Sequence, residues 1–203
     1  MSYRKIKFRK NNSTEIIGII GTEHGVGATH LSCMLSVFLA IVKGYKVAVV
    51  ELGQKGSLRQ AGTIFKNLKI NKMKQLIKMI ALYTQSDEAE LSEVVSMEYD
   101  YVIVDYGCDY GKYKNSFLMC PYKIIVGSLS WWRIHNYVSF VAGCENEKSV
   151  KHWHFLATSP VMEGIQYLKR EFKIRIIEIP YEPDPFMLKS SLVFLHEFTE
   201  SIF

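Results

Sequence analysis

The segment Ile16–Leu52 reads IIGIIGTEHGVGATHLSCMLSVFLAIVKGYKVAVVEL and carries the strongest indication of the fold. It begins with a short β-branched apolar run, which is typical of a buried parallel strand. A glycine-rich turn follows, and the proline-free apolar segment 29–42 predicts a helix that ends just before Gly44. The run 46–51 then predicts a second buried strand. Strand, glycine loop, helix and strand make a βαβ unit, whose helix N-terminus is suited to binding a phosphate.

The loop after the first strand carries part of a P-loop. Gly25 and Gly27 permit the backbone to approach a phosphate closely, and Thr29 supplies a hydroxyl of the kind that binds magnesium. The position directly before Thr29, where a P-loop has its lysine, is occupied by Ala28. Phosphate binding is therefore expected mainly through backbone N–H groups. The candidate nucleotide-binding residues are Gly21, Glu23, His24, Gly25, Val26, Gly27, Ala28, Thr29 and His30.

A second informative stretch, YDYVIVDYG at 99–107, is an apolar strand that ends in Asp105. An acid at the tip of a central strand beside a P-loop is where nucleotide-bound magnesium is held. The alternative is an aspartate that only caps the following turn. Because Thr29 offers a second oxygen, we predict Thr29 and Asp105 as the metal site, with ATP or ADP and Mg²⁺ as weakly bound cofactors.

The rest of the chain continues the alternation of strands and helices. Further strands are predicted at 122–127, 152–157 and 175–179. Helices are predicted at 131–142, 163–172 and 188–203, and 58–98 is predicted to be mostly helical. This order predicts a three-layer α/β fold of the P-loop NTPase type, with helices on both faces of a mostly parallel central sheet. We divide the chain into a basic lead-in, 1–14, and a single domain, 15–203.

The net charge of +5 originates at the N-terminus. The first twelve residues contain five basic and no acidic side chains, and the remaining chain has as many acidic as basic residues. This segment is either a solvated tail or an arm for nucleic acid or an anionic lipid surface. Because the body carries no net positive charge, nucleic-acid binding is not expected. A second basic stretch, 66–78, is interpreted as the solvated face of an amphipathic helix.

Composition and residue spacing argue against several other classes of protein. Hydrophobic residues make up 48% of the 203, which indicates a globular chain. No apolar run is long enough to span a membrane, so we expect a cytoplasmic protein without an integral membrane segment. The cysteines lack metal-ligand spacing and are interpreted as reduced structural thiols. They are Cys33, Cys108, Cys120 and Cys144.

Two pairs of side chains have both a structural and a functional interpretation. His152 and His154 alternate on a predicted strand and could ligate a metal. No third ligand accompanies them, so a partly exposed strand face is favoured. Trp131 and Trp132 stand at the start of a predicted helix and are interpreted as core or interface residues rather than as a stacking platform.

Taken together, these motifs resemble the MinD/ParA group of P-loop ATPases, which carry a deviant Walker A motif. GTEHGVGATHLS stands where that family has its KGGVGKTT-type loop, and VAVVELGQKGS stands where it has a strand followed by DxDxxG. YDYVIVDYG matches its Walker B strand, and IPYEPDP resembles its late IPxD-type loop near the base. The resemblance spans nearly the whole chain.

The positions at which this sequence departs from the family pattern are all ones that bind the nucleotide or assist its hydrolysis. The signature lysine that reaches across the dimer falls on Glu23, the P-loop lysine on Ala28, and the aspartate that orients the attacking water on Gly53. Thr29 and Asp105 are retained. Phosphoryl transfer depends on positioning and on positive charge at the developing anion. The resemblance therefore implies that efficient hydrolysis is absent, and no catalytic residue is assigned.

What the resemblance implies is a degenerate member, a pseudo-ATPase that acts as a localisation or scaffold module. Such a protein would form a homodimer and dock a partner through the helices that flank the sheet. The family contains a TadZ/CpaE-like branch with degenerate loops, which localises pilus assembly machinery at the cell pole. A partner in pilus, secretion or cell-pole machinery is implied by that likeness.

Three alternatives remain open. An active ATP-dependent switch would need another basic residue in place of Ala28, supplied by His24, His30 or a lysine of 66–78. A Rossmann-type dinucleotide site is suggested by the glycine pair of the loop with Glu51 at the end of the second strand, although His30 stands where the third glycine belongs. A DNA-binding, partition-like role would depend on the basic N-terminal segment.

Overall fold

The computed structural model describes residues 13–53, 79–147 and 149–203, together with Gly56 and Leu58. The strands in these residues are β1 (Glu15–Gly21), β2 (Val47–Leu52), β3 (Ile80–Ser86), β4 (Tyr101–Asp105), β5 (Tyr122–Gly127), β6 (His154–Ala157) and β7 (Ile176–Glu178). They form one parallel sheet in the order β3-β2-β4-β1-β5-β6-β7. The loop that follows β1 therefore starts at the middle of the sheet.

Helices cover both faces of this sheet. Within the described residues they are α1 (Ala28–Val37), α2 (Glu88–Val95), α3 (Tyr110–Met119), α4 (Ile134–Cys144), α5 (Met162–Phe172) and α6 (Leu192–Ile202). α1 continues as a π-helix, Phe38–Lys43, and a 3-10 turn spans Val150–His152. The buried side chains of α1 and α6 form one core cluster, and those of α2 to α5 form the other. The three-layer α/β prediction is confirmed.

β1 is central because its side chains are apolar on both faces. Ile17 and Ile19 are fully buried in the cluster on the α1 side, and Ile20 is fully buried in the opposite one. Gly18 brings α3 close, because a Cβ atom there would lie 2.9 Å from Cys120 Sγ and 3.1 Å from the Phe117 ring. This packing fixes the carboxyl end of β1, from which the loop departs.

The segment 58–98, predicted to be mostly helical, contains a strand. Ile80–Ser86 forms β3, which pairs with β2 at the edge of the sheet, and the helix begins only after the cap Asp87. The apolar part of β3, IALY, is only partly buried and follows the segment predicted as an amphipathic helix, so its pairing with β2 decides that it is a strand. The lysine-rich stretch 66–78 and the basic segment 1–12 lie outside the described residues.

Three other local predictions require correction. α3 was not predicted, because only Tyr113 and Phe117 of its ten residues are buried and its apolar face is narrow. β6 starts at His154, while His152 lies in the 3-10 turn, so the two histidines do not share a strand face. α4 begins three residues later than predicted, after an exposed turn that contains both Trp131 and Trp132.

The two tryptophans of that turn are 71% and 87% exposed, so the core interpretation is wrong for both. The four cysteines are all reduced thiols, and all but Cys108 are buried. No helix among the described residues combines the length and the apolar character that crossing a bilayer requires.

Candidate functional site

The loop between β1 and α1 is tied to the two neighbouring strands. The N–H of Gly21 donates to the carbonyl of Gly107 at 2.7 Å, and the N–H of Thr22 donates to the carbonyl of Val126 at 2.9 Å. Gly25 and Gly27 adopt φ angles of 73° and 95°, a region that favours glycine. The sequence therefore provides glycine where the turn into α1 requires it.

The N-terminus of α1 has no side-chain cap. Its capping residue is Gly27, no side chain accepts a hydrogen bond from the first turn, and that turn contains no acidic residue. The first N–H groups of a helix lack intrahelical acceptors, and the helix dipole favours an anion beside them. A glycine loop that leads into an uncapped helix therefore fits a phosphate group.

Thr29 and Asp105 meet beside this helix end. The Thr29 hydroxyl donates to Asp105 Oδ2 at 2.5 Å, and the N–H of Gly107 donates to Asp105 Oδ1 at 3.0 Å. Asp105 is 1% exposed, at the carboxyl end of β4. A hydroxyl and a carboxylate are hard oxygen donors, which suit Mg²⁺. The residues present fit a magnesium ion that is also held by phosphate and water.

Further carboxylates surround the inner side of α1. Glu51 stands beside Asp105 in the register of β2 and β4, and it is 3% exposed. Burial raises the pKa of the Cys33 thiol on α1, and the negative charges of Asp105, Glu51 and Asp184 raise it further. This concentration of negative charge favours a divalent cation and disfavours a phosphate that arrives without one.

Glu23 is held by side chains of the α4 region. Its Oε1 pairs with Arg133 Nε at 2.9 Å, and its Oε2 accepts a hydrogen bond from Asn136 Nδ2 at 2.7 Å. Arg133 Nη2 also donates to the carbonyl of His24 at 2.5 Å. The sequence analysis did not identify Arg133, because nothing in the local pattern links a residue at the start of a helix to a loop 110 positions earlier.

Ala28 and Val26 belong to the core. Ala28 is 7% exposed and Val26 is 3% exposed, and both pack in the cluster on the α1 side. Any contribution of these two residues to a ligand comes from their backbone. His30 lies on the first turn of α1 and is half-buried.

His24 is exposed at the tip of the loop. Its Nδ1 lies 3.3 Å from the Sγ of Cys108, which follows β4. The contact joins the loop after β1 to the loop after β4, so the two segments that carry the candidate nucleotide and metal residues share a surface.

Two positions at the same edge of the sheet have local structural roles. Gly53 has a φ of 91° and donates its N–H to the carbonyl of Ser86 at 3.1 Å. Glu51 Oε1 accepts a hydrogen bond from the N–H of Leu58 at 3.4 Å, so it does cap the loop after β2. β1 is flanked by β4 and β5, whereas a Rossmann sheet places its first strand beside the second. The strand order therefore does not support the dinucleotide alternative.

The late loop IPYEPDP places Glu182 against the start of α6. Its Oε2 accepts hydrogen bonds from the N–H groups of Lys189, Ser190 and Ser191 at 2.7, 2.9 and 3.3 Å, and from the Ser191 hydroxyl at 3.0 Å. These bonds, chiefly the one from Lys189, hold the pKa of the Glu182 carboxyl below its usual range. The Glu182 carboxylate therefore connects its own loop to the start of α6.

Comparison with protein-family models finds no match, and comparison with curated proteins finds none either. Solved structures do match. A plasmid partition protein from Borrelia burgdorferi B31 bound to AMPPNP superposes with a TM-score of 0.65 at 17% identity, over 94% of this chain and 98% of that one. A ParA family ATPase from Chlorobium tepidum gives 0.62 at 15% identity, over 92% and 93%.

The MinD chain of the MinC:MinD complex from Aquifex aeolicus is a further neighbour. It gives a TM-score of 0.58 at 18% identity, over 89% of this chain and 84% of that one. Identities this low establish similarity of fold alone. The match nevertheless covers nearly the whole chain in each case, and it agrees with the parallel sheet and the loop after β1. This chain has the fold of the ParA- and MinD-type P-loop ATPases.

Proposed function

We propose that this chain is a degenerate ParA/MinD-like P-loop protein that binds a nucleoside triphosphate or diphosphate with Mg²⁺ weakly and uses it to control association. The observation that supports this most directly is that the site keeps the oxygen ligands suited to magnesium but lacks the lysines that would contact the phosphates. Thr29 and Asp105 remain in contact, whereas Ala28 packs in the core and Glu23 is held in an ion pair. The metal-binding half is kept and the cationic half is lost.

Weak or absent hydrolysis follows from the same geometry. A phosphoryl transition state needs fixed positive charge and an oriented water molecule. Gly53 stands where the resemblance places the water-orienting aspartate, and its φ of 91° strains any residue with a side chain. Reinstating that aspartate would therefore require the backbone after β2 to change as well.

Support for a nucleotide comes from the loop and from the fold. The uncapped N-terminus of α1 suits a phosphate, and the similar plasmid partition protein carries AMPPNP. When bound, Mg²⁺ would neutralise charge between the phosphates and the carboxylates around α1. Thr29 and Asp105 would hold it, and backbone groups of Gly21–His30 would orient the phosphates.

The proposed output is association of the domain 15–203, in the cytoplasm, with a second copy and with a protein partner. The exposed Trp131 and Trp132 lie directly before Arg133, which contacts the loop, and Trp131 lines the same cavity as Tyr167 of α5, which is 39% exposed. Exposed apolar side chains grouped in this way are typical of interaction surfaces. Pilus, secretion or cell-pole machinery is the partner class that the TadZ/CpaE resemblance suggests.

Titration calorimetry of the purified chain with ATP and ADP, with and without Mg²⁺, tests the proposal. We expect micromolar to millimolar binding that Thr29→Ala weakens, together with phosphate release no faster than the uncatalysed rate. Ala28→Lys is expected to raise the affinity, with a melting curve to verify that the core tolerates it. No heat at millimolar ligand for any of these proteins would overturn the nucleotide role.

A second candidate, an active switch ATPase, is favoured by one observation. Arg133 brings a cation to the loop, which is the kind of substitute for the missing lysine that an active enzyme needs. Measurable turnover that Asp105→Ala abolishes would favour this candidate over the first.

A further inference from the structure

Arg133 lies along the loop between β1 and α1. Its Nε pairs with Glu23 Oε1 at 2.9 Å, and its Nη2 donates to the carbonyl of His24 at 2.5 Å. The same Nη2 lies 3.9 Å from the point where a Cβ atom of Gly25 would stand. The guanidinium therefore extends along the three residues that lead to the glycine turn before α1.

The carboxylate of Glu23 is clamped by the α4 region through both of its oxygens. Oε1 forms an ion pair with Arg133, and Oε2 accepts a hydrogen bond at 2.7 Å from Asn136, which lies one turn further along. The pair is partly open to water, with side-chain exposures of 31% for Arg133 and 19% for Glu23. Because part of the guanidinium remains in water, solvent screens this ion pair and another anion can compete for the guanidinium.

A guanidinium has five N–H donors in a planar fork that matches phosphate oxygens. The guanidinium lies beside Gly25, two residues before Gly27, which is the N-cap of α1, so a phosphate bound by this loop would have a cation close by. We propose that Arg133 is the cation of this loop that binds phosphate. Without nucleotide its guanidinium pairs with the Glu23 carboxylate, and when a Mg²⁺-nucleotide binds, the guanidinium leaves that carboxylate and contacts a phosphate. This inference rests on the proposed function, because it requires that the loop bind a nucleotide.

The competing interpretation is a permanent structural contact, in which the Glu23–Arg133 pair only holds the loop closed. The two differ in the sign of one effect. If Arg133 serves the phosphate and Glu23 competes for it, Arg133→Gln weakens nucleotide binding and Glu23→Gln strengthens it. If the pair only holds the loop, both substitutions loosen the same contact and change the affinity in the same direction.

The test is calorimetric titration of the purified chain with ADP and with AMPPNP in the presence of Mg²⁺. We expect Arg133→Gln to weaken binding at least tenfold, Arg133→Lys to lose less, and Glu23→Gln to tighten binding about threefold to tenfold. In the double variant the gain from Glu23→Gln is expected to shrink, because the released guanidinium is then missing. A gain that is undiminished without Arg133 would assign the effect of Glu23 to simple charge repulsion and overturn the exchange.

Arg175→Gln is the matched control. It removes the same charge at an exposed residue just before β7, at the amino ends of the strands, and the loop lies at their carboxyl ends. Its affinity is expected to equal that of the wild type. A melting curve for each variant shows whether the fold is kept, and Asn136→Ala, which releases only Oε2 of Glu23, serves if Arg133→Gln does not fold. Asn136→Ala is then expected to weaken binding, because a carboxylate that has lost its amide donor holds the guanidinium more firmly, and tighter binding would contradict the exchange.

A second readout is independent of affinity. Trp131 and Trp132 precede Arg133 and are exposed, while Trp153 is 5% exposed, so acrylamide quenching reports mainly on the turn before α4. Saturating Mg²⁺-ADP is expected to change this quenching in the wild type and to leave it unchanged in Arg133→Gln. An equal change in saturated Arg133→Gln would contradict the exchange, because the turn would then respond to the nucleotide without the guanidinium. Binding that Thr29→Ala weakens but Arg133→Gln does not would overturn this inference and leave the proposed function standing. No binding by any variant at millimolar ligand would overturn both.

Discussion

The ring of Tyr137 on α4 lies directly over Gly127, so closely that a Cβ atom added at Gly127 would stand 2.2 Å from Tyr137 Cδ2. The Tyr137 hydroxyl donates to the carbonyl of Leu156 at 3.1 Å, and its ring is fully buried. The same added Cβ atom would stand 2.8 Å from Thr22 Oγ1, at the start of the loop. The end of β5 thus fixes both α4, next to Arg133, and the first residue of the loop.

Gly127→Ala is expected to destabilise the fold by about 1–3 kcal/mol or more, because a buried ring and the loop must both move. Urea denaturation gives the free energy of unfolding. Gly143→Ala is the matched control, since a Cβ atom there meets nothing within 4 Å and lies in helix α4. This control is expected to match the wild type or to gain up to about 1 kcal/mol. Equal stability of the two variants would contradict the packing described.

Thr29→Ala is expected to remove the effect of magnesium on nucleotide affinity. In the wild type, Mg²⁺ should tighten ADP binding, because the Thr29 hydroxyl and Asp105 hold the ion. In the variant the affinity in Mg²⁺ should fall about tenfold, which corresponds to about 1.4 kcal/mol. Calorimetry with Mg²⁺ and with EDTA measures both states.

Thr14→Ala is the control for that experiment. The Thr14 hydroxyl donates to the carbonyl of Tyr99 at 2.8 Å, before β1 and at the opposite edge of the sheet. It should leave the magnesium effect intact. An equal loss of affinity for Thr29→Ala in EDTA and in Mg²⁺ would show that its hydroxyl supports the loop and not the ion.

Glu182→Gln is expected to lower the free energy of unfolding at neutral pH, on the order of 1–3 kcal/mol, because charged hydrogen bonds at the start of α6 are weakened. The pKa of the Glu182 carboxyl is depressed in the folded state, chiefly by the N–H of Lys189. Its contribution is therefore fully present above the ordinary glutamate pKa of about 4.3 and is lost as the pH falls through the lower folded-state value.

The measurement is urea denaturation of wild type and variant from pH 7 to pH 3. The difference between them should be constant down to about pH 5 and shrink below about pH 4. Glu163→Gln, at an exposed residue of α5, should stay within about 0.5 kcal/mol of the wild type throughout. A difference that is as large at pH 3 as at pH 7 would contradict the role of the ionised carboxylate.

Cys108 is expected to be the first cysteine alkylated by iodoacetamide in the folded chain. Cys33, Cys120 and Cys144 are 3%, 4% and 1% exposed, and burial raises the pKa of all three thiols. Cys108 is half-exposed and lies against His24. Peptide mass spectrometry after brief labelling identifies the site, and Mg²⁺-ADP should slow it because His24 belongs to the loop. Faster labelling of a buried cysteine would contradict this prediction.

The sequence predicted the elements that follow from a local apolar pattern and missed those that depend on contacts with a distant segment. Buried strands such as β1, β4 and β5 were located within one or two residues, because a continuous apolar run requires burial on both faces. β3 and α3 were missed, since few of their side chains are buried and each is stabilised by a neighbour: β3 by β2, and α3 by β1 through the close approach at Gly18.

The βαβ unit, the parallel α/β fold, the glycine loop and the aspartate at the tip of β4 could all be predicted from the amino-acid sequence. Each of these is a local pattern of hydrophobicity and backbone freedom, and the order of strands then brings Thr29 to Asp105. The folded structure was needed to show that Arg133 contacts the loop, that it pairs with Glu23, and that Trp131 and Trp132 are exposed. Those facts depend on how α4 packs against the sheet, and a side-chain contact between distant segments follows from packing geometry that no local pattern records.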